Sequence, residues 1–346
     1  LPICDERLVM KSDIFSFLFY VLSGLSLINT RKFDQYGRYK LNQQRGLHAR
    51  LKTPLADEFF RNFLYSISEI IPIQFELKSR FRFVPTVDID AFYAFKHKSA
   101  IHKLLGLSKD IIHLNTGRVS VRLKSLSSKD PYDSFEYLTR ILGNGILYFV
   151  LMDYNGPSDP RAFMKLKEFE KSVLQLCKKN KLGLHGSFSS FDDQKMINLE
   201  REELESIIAQ SIDAFRMHFL RFRYENTFKI LESLNISDDY STGFANVIGY
   251  PYFTVYPVKF YDHENEQAGN LNLHSTHVMD RSLKKIYGDD KTRALRDVKH
   301  IIDSCRNAKG EFILLWHNSS FAAFEGWNNH WKELLEEIVS YSLSSG

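Results

Sequence analysis

The sequence has few cysteines, only Cys4, Cys177 and Cys305 among 346 residues, and it has no C-x-x-C pair. Three widely separated cysteines predict neither a disulfide framework nor a cysteine-ligated structural zinc site. Residues Leu1 to Glu6 also lack the basic start and apolar centre of a secretory signal. We therefore expect a cytoplasmic location.

Long hydrophobic runs and blocks of one charge are lacking too. The apolar stretch from Ile14 to Ile28 is shorter than the roughly 20 residues that cross a bilayer, and it contains three serines and a glycine. It predicts a buried helix and no membrane span. The 46 basic and 42 acidic residues are mixed along the chain and give a net charge of +4, so no nucleic-acid partner is expected. No G-x-S-x-G elbow of a serine hydrolase is present.

Two carboxylates stand one residue apart in Thr86-Val87-Asp88-Ile89-Asp90, at the end of an apolar run. Alternation at period two places Asp88 and Asp90 on the same face of a strand. Their like charges repel unless a cation or a proton lies between them. A D-x-D pair alone is more often a capped or hydrated strand end, so it indicates a site only together with the other polar strand ends.

Three histidines end other short apolar runs, namely His185, His218 and His317. Strand-like segments at 148–152, 182–185, 215–219 and 312–316 alternate with helical patterns at 160–180, 200–212, 225–234, 291–308 and 328–341. This alternation predicts parallel strands joined by right-handed crossovers. In a parallel α/β barrel the active site lies at the carboxyl ends of the strands, so the polar strand ends predict one shared site.

The predicted fold class is therefore α/β, a distorted (β/α) barrel of parallel strands with an N-terminal mixed, mainly helical extension. Helical spacing is expected at 14–28 and 55–71 in that extension. The change of pattern near residues 75–80 predicts an accessory domain over 1–78 and a barrel over 79–346. The polar stretch Asp262 to Asn272 is expected to be a surface loop, and His274 and His277 are expected to be solvated.

The strand-end residues have the chemistry of a hydrolytic metal centre. One carboxylate and two imidazoles suit a zinc-like ion with positions left open for water and substrate. A second carboxylate can take a proton from that water, and a histidine can protonate the leaving group. Asp88 and Asp90 divide into base and ligand, and His317 is the candidate acid. A glycosidase fits less well, because its two carboxylates lie on either side of a sugar about 5 to 9.5 Å apart. Asp88 and Asp90 instead lie side by side on one strand.

These segments resemble the motifs of polysaccharide deacetylases, the carbohydrate esterase family 4 enzymes with NodB homology. Residues 86–90 resemble the first motif in a D-x-D variant, 183–187 the second, 215–219 the third and 314–317 the last. The order of motifs covers nearly all of the chain. It resembles more specifically a bacterial subgroup with an added N-terminal domain, with further similarities at 34–38, 129–133, 239–243 and 278–280.

The resemblance implies a role for each strand-end residue. Asp88 would be the base, Asp90 and His185 metal ligands, Arg216 the group that orients the base, and His317 the acid. The second motif of the family usually supplies two histidines four residues apart, but Ser189 takes the second place here. We therefore predict that His218 is the third metal ligand; the alternative is that His218 only forms a hydrogen bond in the core and that the metal site is degenerate.

The resemblance also implies a metal-dependent hydrolase, with zinc as the expected ion, that removes acetyl groups from an N-acetylated sugar or polysaccharide. Leu315 and Trp316 would lie near the acetyl pocket, and Asp130, Asp280 and Tyr240 are further candidates for substrate contact. The alternative is a non-catalytic relative that binds a glycan or another partner, a possibility that the serine at position 189 raises.

Overall fold

The computed structural model describes residues 13–30, 32–41, 46–71, 79–152 and 164–344. The α-helices are α1 (Ile14–Leu22), α2 (Leu25–Ile28), α3 (Leu55–Ile70), α4 (Ala100–Ile112), α5 (Thr116–Lys124), α6 (Phe135–Leu142), α7 (Leu166–Cys177), α8 (Gln194–Ile208), α9 (Tyr224–Ser233), α10 (Asp280–Tyr287), α11 (Lys291–Asn307) and α12 (Asn329–Leu343). The strands are β1 (Arg82–Ile89), β2 (Leu147–Leu151), β3 (Lys181–Gly186), β4 (Ala214–Met217), β5 (Asp238–Asp239), β6 (Val258–Asp262), β7 (Gln267–Leu273), β8 (Val278–Met279) and β9 (Glu311–His317).

Strands and helices alternate after β1, and most strand pairs are parallel, so the predicted α/β class is confirmed. The predicted strands at 148–152, 182–185, 215–219 and 312–316 correspond to β2, β3, β4 and β9. The predicted helices after residue 164 correspond to α7, α8, α9, α11 and α12. Closure of the strands into a barrel stays a prediction.

The chain forms two compact units. The first unit comprises residues 1–84, 219–315 and 342–346, and the second comprises residues 85–218 and 316–341. The predicted domain boundary at residue 78 lies outside the described residues, since 72–78 are not among them. The division into 1–78 and 79–346 therefore stays a prediction.

The second unit contains a run of parallel strands that positions the site. Strand β2 pairs with β1 on one side and with β3 on the other, and β3 pairs with β4. The register sets Asp88 beside Phe149, Leu151 beside His185, and His185 beside Arg216. Every residue of β2 is buried, as expected of parallel strands covered on both faces. The parallel register brings the polar strand ends to one edge.

The first unit contains an antiparallel pair that the sequence analysis missed. Strand β6 runs antiparallel to β7, with a register shift between Lys259 and Tyr261, and β5 pairs parallel with β7. The surface loop predicted from Asp262 to Asn272 is therefore wrong, because most of that stretch is a strand. Its polar residues occupy the exposed first half of β7, whereas Leu271 and Leu273 are buried.

The N-terminal apolar stretch is helical but not buried throughout. Helix α1 ends before Gly24, whose φ of 76° interrupts the run before α2 begins. Phe15 and Phe19 are exposed, so the prediction of a buried helix is wrong for the outer face of α1. A side chain at Gly24 would also collide with the ring of Tyr224. No described helix has both the length and the apolar content to cross a membrane.

His274 and His277 are both buried, which corrects the expectation that they are solvated. His274 Nε2 lies 2.9 Å from Asp238 Oδ1, and its Nδ1 lies 3.1 Å from Glu311 Oε2. Burial alone would lower the pKa of His274, but the two hydrogen-bonded carboxylates raise it above its ordinary value. His277 Nδ1 instead accepts a hydrogen bond from the Ile313 N–H, and burial lowers its pKa to about 3.

The two histidines are expected to give opposite pH dependences of stability. Because the folded-state pKa of His274 is raised, its contribution is fully present below an unfolded pKa of about 6.5 and is lost as pH rises through the folded pKa. The fold keeps His277 neutral, so its contribution weakens by up to about 1.4 kcal/mol per pH unit as pH falls below about 6.5. Urea unfolding at about pH 5.5 and 9.5 should show His274→Gln costing more at the lower pH and His277→Gln costing more at the higher pH. Costs that change in the same direction would contradict this assignment.

Candidate metal centre

Asp90, His185 and His218 bring three potential ligand atoms together at the carboxyl ends of β1, β3 and β4. Each residue offers one ligand atom, and the three atoms lie within 4.8 Å of one another. Asp90 Oδ1 lies 3.5 Å from His185 Nε2 and 3.5 Å from His218 Nε2. Ligand atoms about 2.1 Å from a tetrahedral ion are about 3.4 Å apart. The spacing and the donor set therefore fit one divalent ion.

The ring of His185 is held with its Nε2 directed at this cluster. Its Nδ1 donates a hydrogen bond to the Arg216 carbonyl oxygen at 2.8 Å, and the side chain is 1% exposed. A metal-binding histidine commonly donates its other ring N–H to a carbonyl or carboxylate, which fixes the ring orientation. Nε2 is thus free to be the metal-facing atom.

The charges around the cluster favour an ionised Asp90. Burial alone would raise its pKa, but nearby His218, His185 and His317 hold the pKa of this carboxyl well below its usual value. Burial alone would lower the pKa of His185, while Asp88 and Asp90 raise it. The carboxylate is therefore present as the anion that a metal ion needs, and bound metal would replace the proton on His185.

Asp88 is held by an ion pair inside the second unit. Arg216 Nη1 donates to Asp88 Oδ1 at 2.7 Å and to Thr86 Oγ1 at 3.0 Å. The Arg216 side chain is 0% exposed and that of Asp88 is 3% exposed. The guanidinium lies 4.3 Å over the ring of Phe149, which adds a cation–π contact. The other carboxylate oxygen, Asp88 Oδ2, lies 3.5 Å from His185 Nε2.

Gly183 leaves room for the Phe149 ring on which the Arg216 guanidinium rests. A Cβ atom at this position of β3 would lie 2.6 Å from the Phe149 ring and 2.9 Å from the Ala214 carbonyl oxygen. Real Cβ atoms do not approach other atoms that closely, so a side chain would displace the ring on which Arg216 rests. The absence of a side chain at residue 183 therefore supports the ion pair of Asp88.

Gly183→Ala is expected to lower the free energy of unfolding by about 1–3 kcal/mol because it overpacks the site. Gly117→Ala is the matched control, since no atom lies within 4 Å of a Cβ built there and its φ is not positive. That change in helix α5 should be neutral or stabilising by up to about 1 kcal/mol. Equal effects of the two changes on chemical denaturation would contradict the packing argument.

The segment after β9 is fixed by Asn318, a residue that the sequence analysis missed. Asn318 Nδ2 donates to the carbonyl oxygens of Ala91 and Tyr132 at 2.9 and 3.0 Å. Its backbone N–H donates to the Asp88 carbonyl oxygen, and its own carbonyl accepts from Ser134 Oγ. Asn318 therefore ties His317 to the chain that carries Asp88 and Asp90. The sequence signal for Asn318 was its position directly after His317, a predicted site residue.

The predicted substrate-contact residues are all buried. In the second unit, Trp316 stacks on Phe321, and Asp130 accepts hydrogen bonds from the N–H groups of residues 94, 95, 96 and 132. The oxygens of Asp130 thus hold the backbone of this segment in place, and substrate contact by Asp130 stays a prediction.

The other three candidates lie in the first unit. Leu315 packs with Leu220 and Met279. Tyr240 stacks on His274 at 4.4 Å, and Asp280 accepts from the Arg281 N–H at 2.6 Å. Substrate contact by these residues and by Trp316 stays a prediction.

Ser189 lies at an exposed position, and its Oγ is 3.0 Å from Ser187 Oγ. Among the histidines, cysteines and carboxylates of the described chain, the grouping that could hold an ion consists of Asp90, His185 and His218. His218, at the end of β4, belongs to this grouping whereas Ser189 does not, and its role as the third ligand stays a prediction.

No family model and no curated protein matches this chain. Among solved structures, the chain is similar to a protein from Mycobacterium smegmatis described as a polysaccharide deacetylase, with 13% identity, a TM-score of 0.46 and coverage of 78% of this chain and 87% of that one. It is similar to a carbohydrate esterase family 4 pseudoenzyme from Bacillus anthracis, with 10% identity, a TM-score of 0.36 and coverage of 75% and 62%. A polysaccharide deacetylase from Bacillus cereus gives 8% identity, a TM-score of 0.37 and coverage of 75% and 86%. These likenesses are distant, and the function proposed below rests on the geometry of the site.

Proposed function

We propose that this protein is a metal-dependent hydrolase that removes acetyl groups from an N-acetylated sugar or polysaccharide. The observation that carries the proposal is the cluster of Asp90, His185 and His218 next to a second carboxylate, Asp88, which does not belong to that ligand set. Three ligands with a nearby base are the usual composition of a hydrolytic metal site.

The donor set fits a zinc-like ion, because two imidazole nitrogens and one carboxylate oxygen are ligands that zinc prefers. When bound, such an ion would lower the pKa of a water molecule and polarise a carbonyl group. His185 is oriented for this task by the Arg216 carbonyl, and Asp90 is kept ionised by the surrounding histidines.

Asp88 is suited to the role of general base. Arg216 and Thr86 fix one side of its environment, since Arg216 Nη1 binds both Asp88 Oδ1 and Thr86 Oγ1. Asp88 Oδ2 faces the metal cluster and can take a proton from the attacking water. As the water oxygen bonds to the acetyl carbon, the carbon–nitrogen bond breaks and the departing amine needs a proton.

His317 is suited to supply that proton. It is buried at the end of β9, and it is one of the histidines that lower the pKa of Asp90, which supports a role for it close to the cluster. Asn318 fixes the chain next to it through four hydrogen bonds of its side chain and backbone. A protonated imidazole at this point can convert the leaving nitrogen to an amine.

His317→Asn is expected to lower acetate release from N-acetylated chitooligosaccharides by about 10²–10⁴-fold, because the amine would leave unprotonated. Turnover of 4-nitrophenyl acetate should fall much less, since nitrophenolate leaves without a proton. The measurement compares both substrates with zinc-loaded wild-type protein and variant. Equal losses on both substrates would contradict the role of acid.

A non-catalytic protein that binds a glycan is the second candidate, and Ser189 in place of a histidine ligand is the observation that favours it. This candidate predicts binding of the same oligosaccharides without acetate release by the zinc-loaded protein. Isothermal titration of chitooligosaccharides, run beside the acetate assay, separates the two functions.

A further inference from the structure

The segment from Lys96 to Lys129 has a charge balance unlike that of the remaining chain. It contains eight lysines and arginines and one acidic residue, Asp110, which gives a formal charge of +7 with neutral histidines. The whole chain carries only +4, so the rest of the protein is slightly acidic. The even mixture of charges inferred from the total composition is therefore wrong for this segment, which contains helices α4 and α5.

Helix α4 turns its apolar side chains outward. The exposed fractions are 68% for Ile101, 65% for Leu104, 62% for Leu105, 55% for Ile111 and 76% for Ile112. These positions recur at helical spacing and form one stripe, called here the α4 stripe. A surface helix of a globular protein normally buries such a stripe against the core.

The inner side of the same helix is polar. Asp110 is buried and accepts from Arg122 Nε and Nη2 at 2.9 and 2.7 Å, and it lies 3.4 Å from Arg118 Nε. Gly106 gives the Arg122 guanidinium room, because a Cβ there would lie 2.8 Å from it. Helices α4 and α5 therefore pack through charge and a glycine, and folding of the pair does not use the α4 stripe.

Helices α4 and α5 belong to the second unit and follow the carboxyl end of β1 in the chain. Asp130, directly after the segment, accepts hydrogen bonds from the backbone N–H groups of residues 94, 95 and 96, directly before or at its start. Five residues separate the start of the segment at Lys96 from Asp90, a residue of the candidate metal centre. These hydrogen bonds hold together the two ends of the segment that carries the α4 stripe, close in sequence to Asp90.

We propose that helices α4 and α5 dock this protein on an anionic lipid surface. Such a surface supplies an apolar layer for the α4 stripe and negative headgroups for the exposed Lys109 and Lys124. Helix α4, about 20 Å long from its 13 residues, is too short to span the ~30 Å apolar core and would lie in the plane of the surface.

The charge of the segment favours an anionic lipid surface over a second copy of the chain as the partner of the α4 stripe. Two α4 stripes facing each other would bring two segments of formal charge +7 together, and the repulsion opposes their contact. Lysine side chains at the border of the stripe can instead extend to lipid phosphates while the isoleucines and leucines enter the acyl boundary.

The test is sedimentation with vesicles of phosphatidylcholine alone and of phosphatidylcholine with phosphatidylglycerol, without any glycan substrate. Wild-type protein is expected to bind the anionic vesicles at least about tenfold more tightly than the neutral ones, and to lose binding as salt rises. Leu105→Gln with Ile112→Gln, and separately Lys109→Gln with Lys124→Gln, should each weaken binding about tenfold.

Matched controls come from exposed positions on α7 and α8 in the same unit. Leu174→Gln with Leu199→Gln removes two exposed leucines, and Lys171→Gln with Lys195→Gln removes the same charge. Both pairs should leave vesicle binding unchanged. Equal binding to the two vesicle types, no binding, or equal losses in the control pairs would overturn the proposal. A dimer that Leu105→Gln with Ile112→Gln dissociates would overturn it in favour of a second copy. Acetate release does not enter the readout, so failure of the hydrolase proposal leaves this test intact.

Discussion

Asp88→Asn is expected to lower kcat for acetate release from N-acetylated chitooligosaccharides by about 10²–10⁴-fold. Asparagine has nearly the shape of aspartate and can still accept the Arg216 hydrogen bond, but it cannot take a proton from water. Asp88 does not belong to the ligand cluster, so the zinc content of the variant should equal that of the wild-type protein. Loss of turnover with retained metal is the signature of a missing base.

Asp193→Asn is the matched control for this change. Asp193 begins helix α8, where its carboxylate accepts from the Met196 N–H, and asparagine is an equally good residue at such a position. Its turnover should be unchanged. If Asp88→Asn kept wild-type turnover, or lost its metal together with its turnover, the base would have to be another group.

Arg216→Met is expected to lower the free energy of unfolding by roughly 3–5 kcal/mol. The change removes the 2.7 Å contact to Asp88 and leaves a nearly buried carboxylate without its counter-charge. It also removes the cation that rests on the Phe149 ring. Because methionine fills part of the same space, the loss of unfolding free energy reflects mainly the missing positive charge. Equilibrium unfolding in urea measures the effect.

Arg296→Met removes an arginine of the same chain whose own side chain is exposed in its ion pair. Arg296 lies 3.2 Å from Asp297, and its side chain is 72% exposed, so the expected cost is about 0–1 kcal/mol. Similar costs for the two variants would contradict the view that the Asp88 ion pair is desolvated. A double variant, Arg216→Met with Asp88→Leu, should recover part of the loss, since it removes the uncompensated charge as well.

The ends of the strands in the second unit could be predicted because they depend on local pattern. Short apolar runs gave β2, β3 and β4, and parallel strands bring their carboxyl ends to one edge. The same rule placed His185 and His218 beside Asp90, as the structure has them. No knowledge of side-chain packing was needed for that step.

The contacts that support the site could not be predicted in this way, because they join residues far apart in the sequence. Gly183 is required by the ring of Phe149, and Asn318 binds the carbonyl of Ala91. His274 and His277 follow the polar stretch around β7, yet tertiary contacts bury both. Period and composition carry no information on such pairs.

The outward side of α4 was missed for a different reason. Its apolar spacing is that of an ordinary amphipathic helix, and the pattern alone predicts an inward stripe. The exposure of the α4 stripe and the contact of buried Asp110 with Arg122 show which side of the helix faces the protein. Whether the apolar side of an amphipathic helix faces the core or the solvent therefore depends on residues outside the helix.

Metal content is the most direct measure of the central claim, that Asp90, His185 and His218 hold a divalent ion. Elemental analysis after dialysis against trace zinc should find close to one equivalent in the wild-type protein and in His300→Ala, whose histidine is exposed on α11. His218→Ala should lose that metal while keeping its fold by circular dichroism. A wild-type protein without metal, or a folded His218→Ala variant with full zinc, would contradict the proposed site.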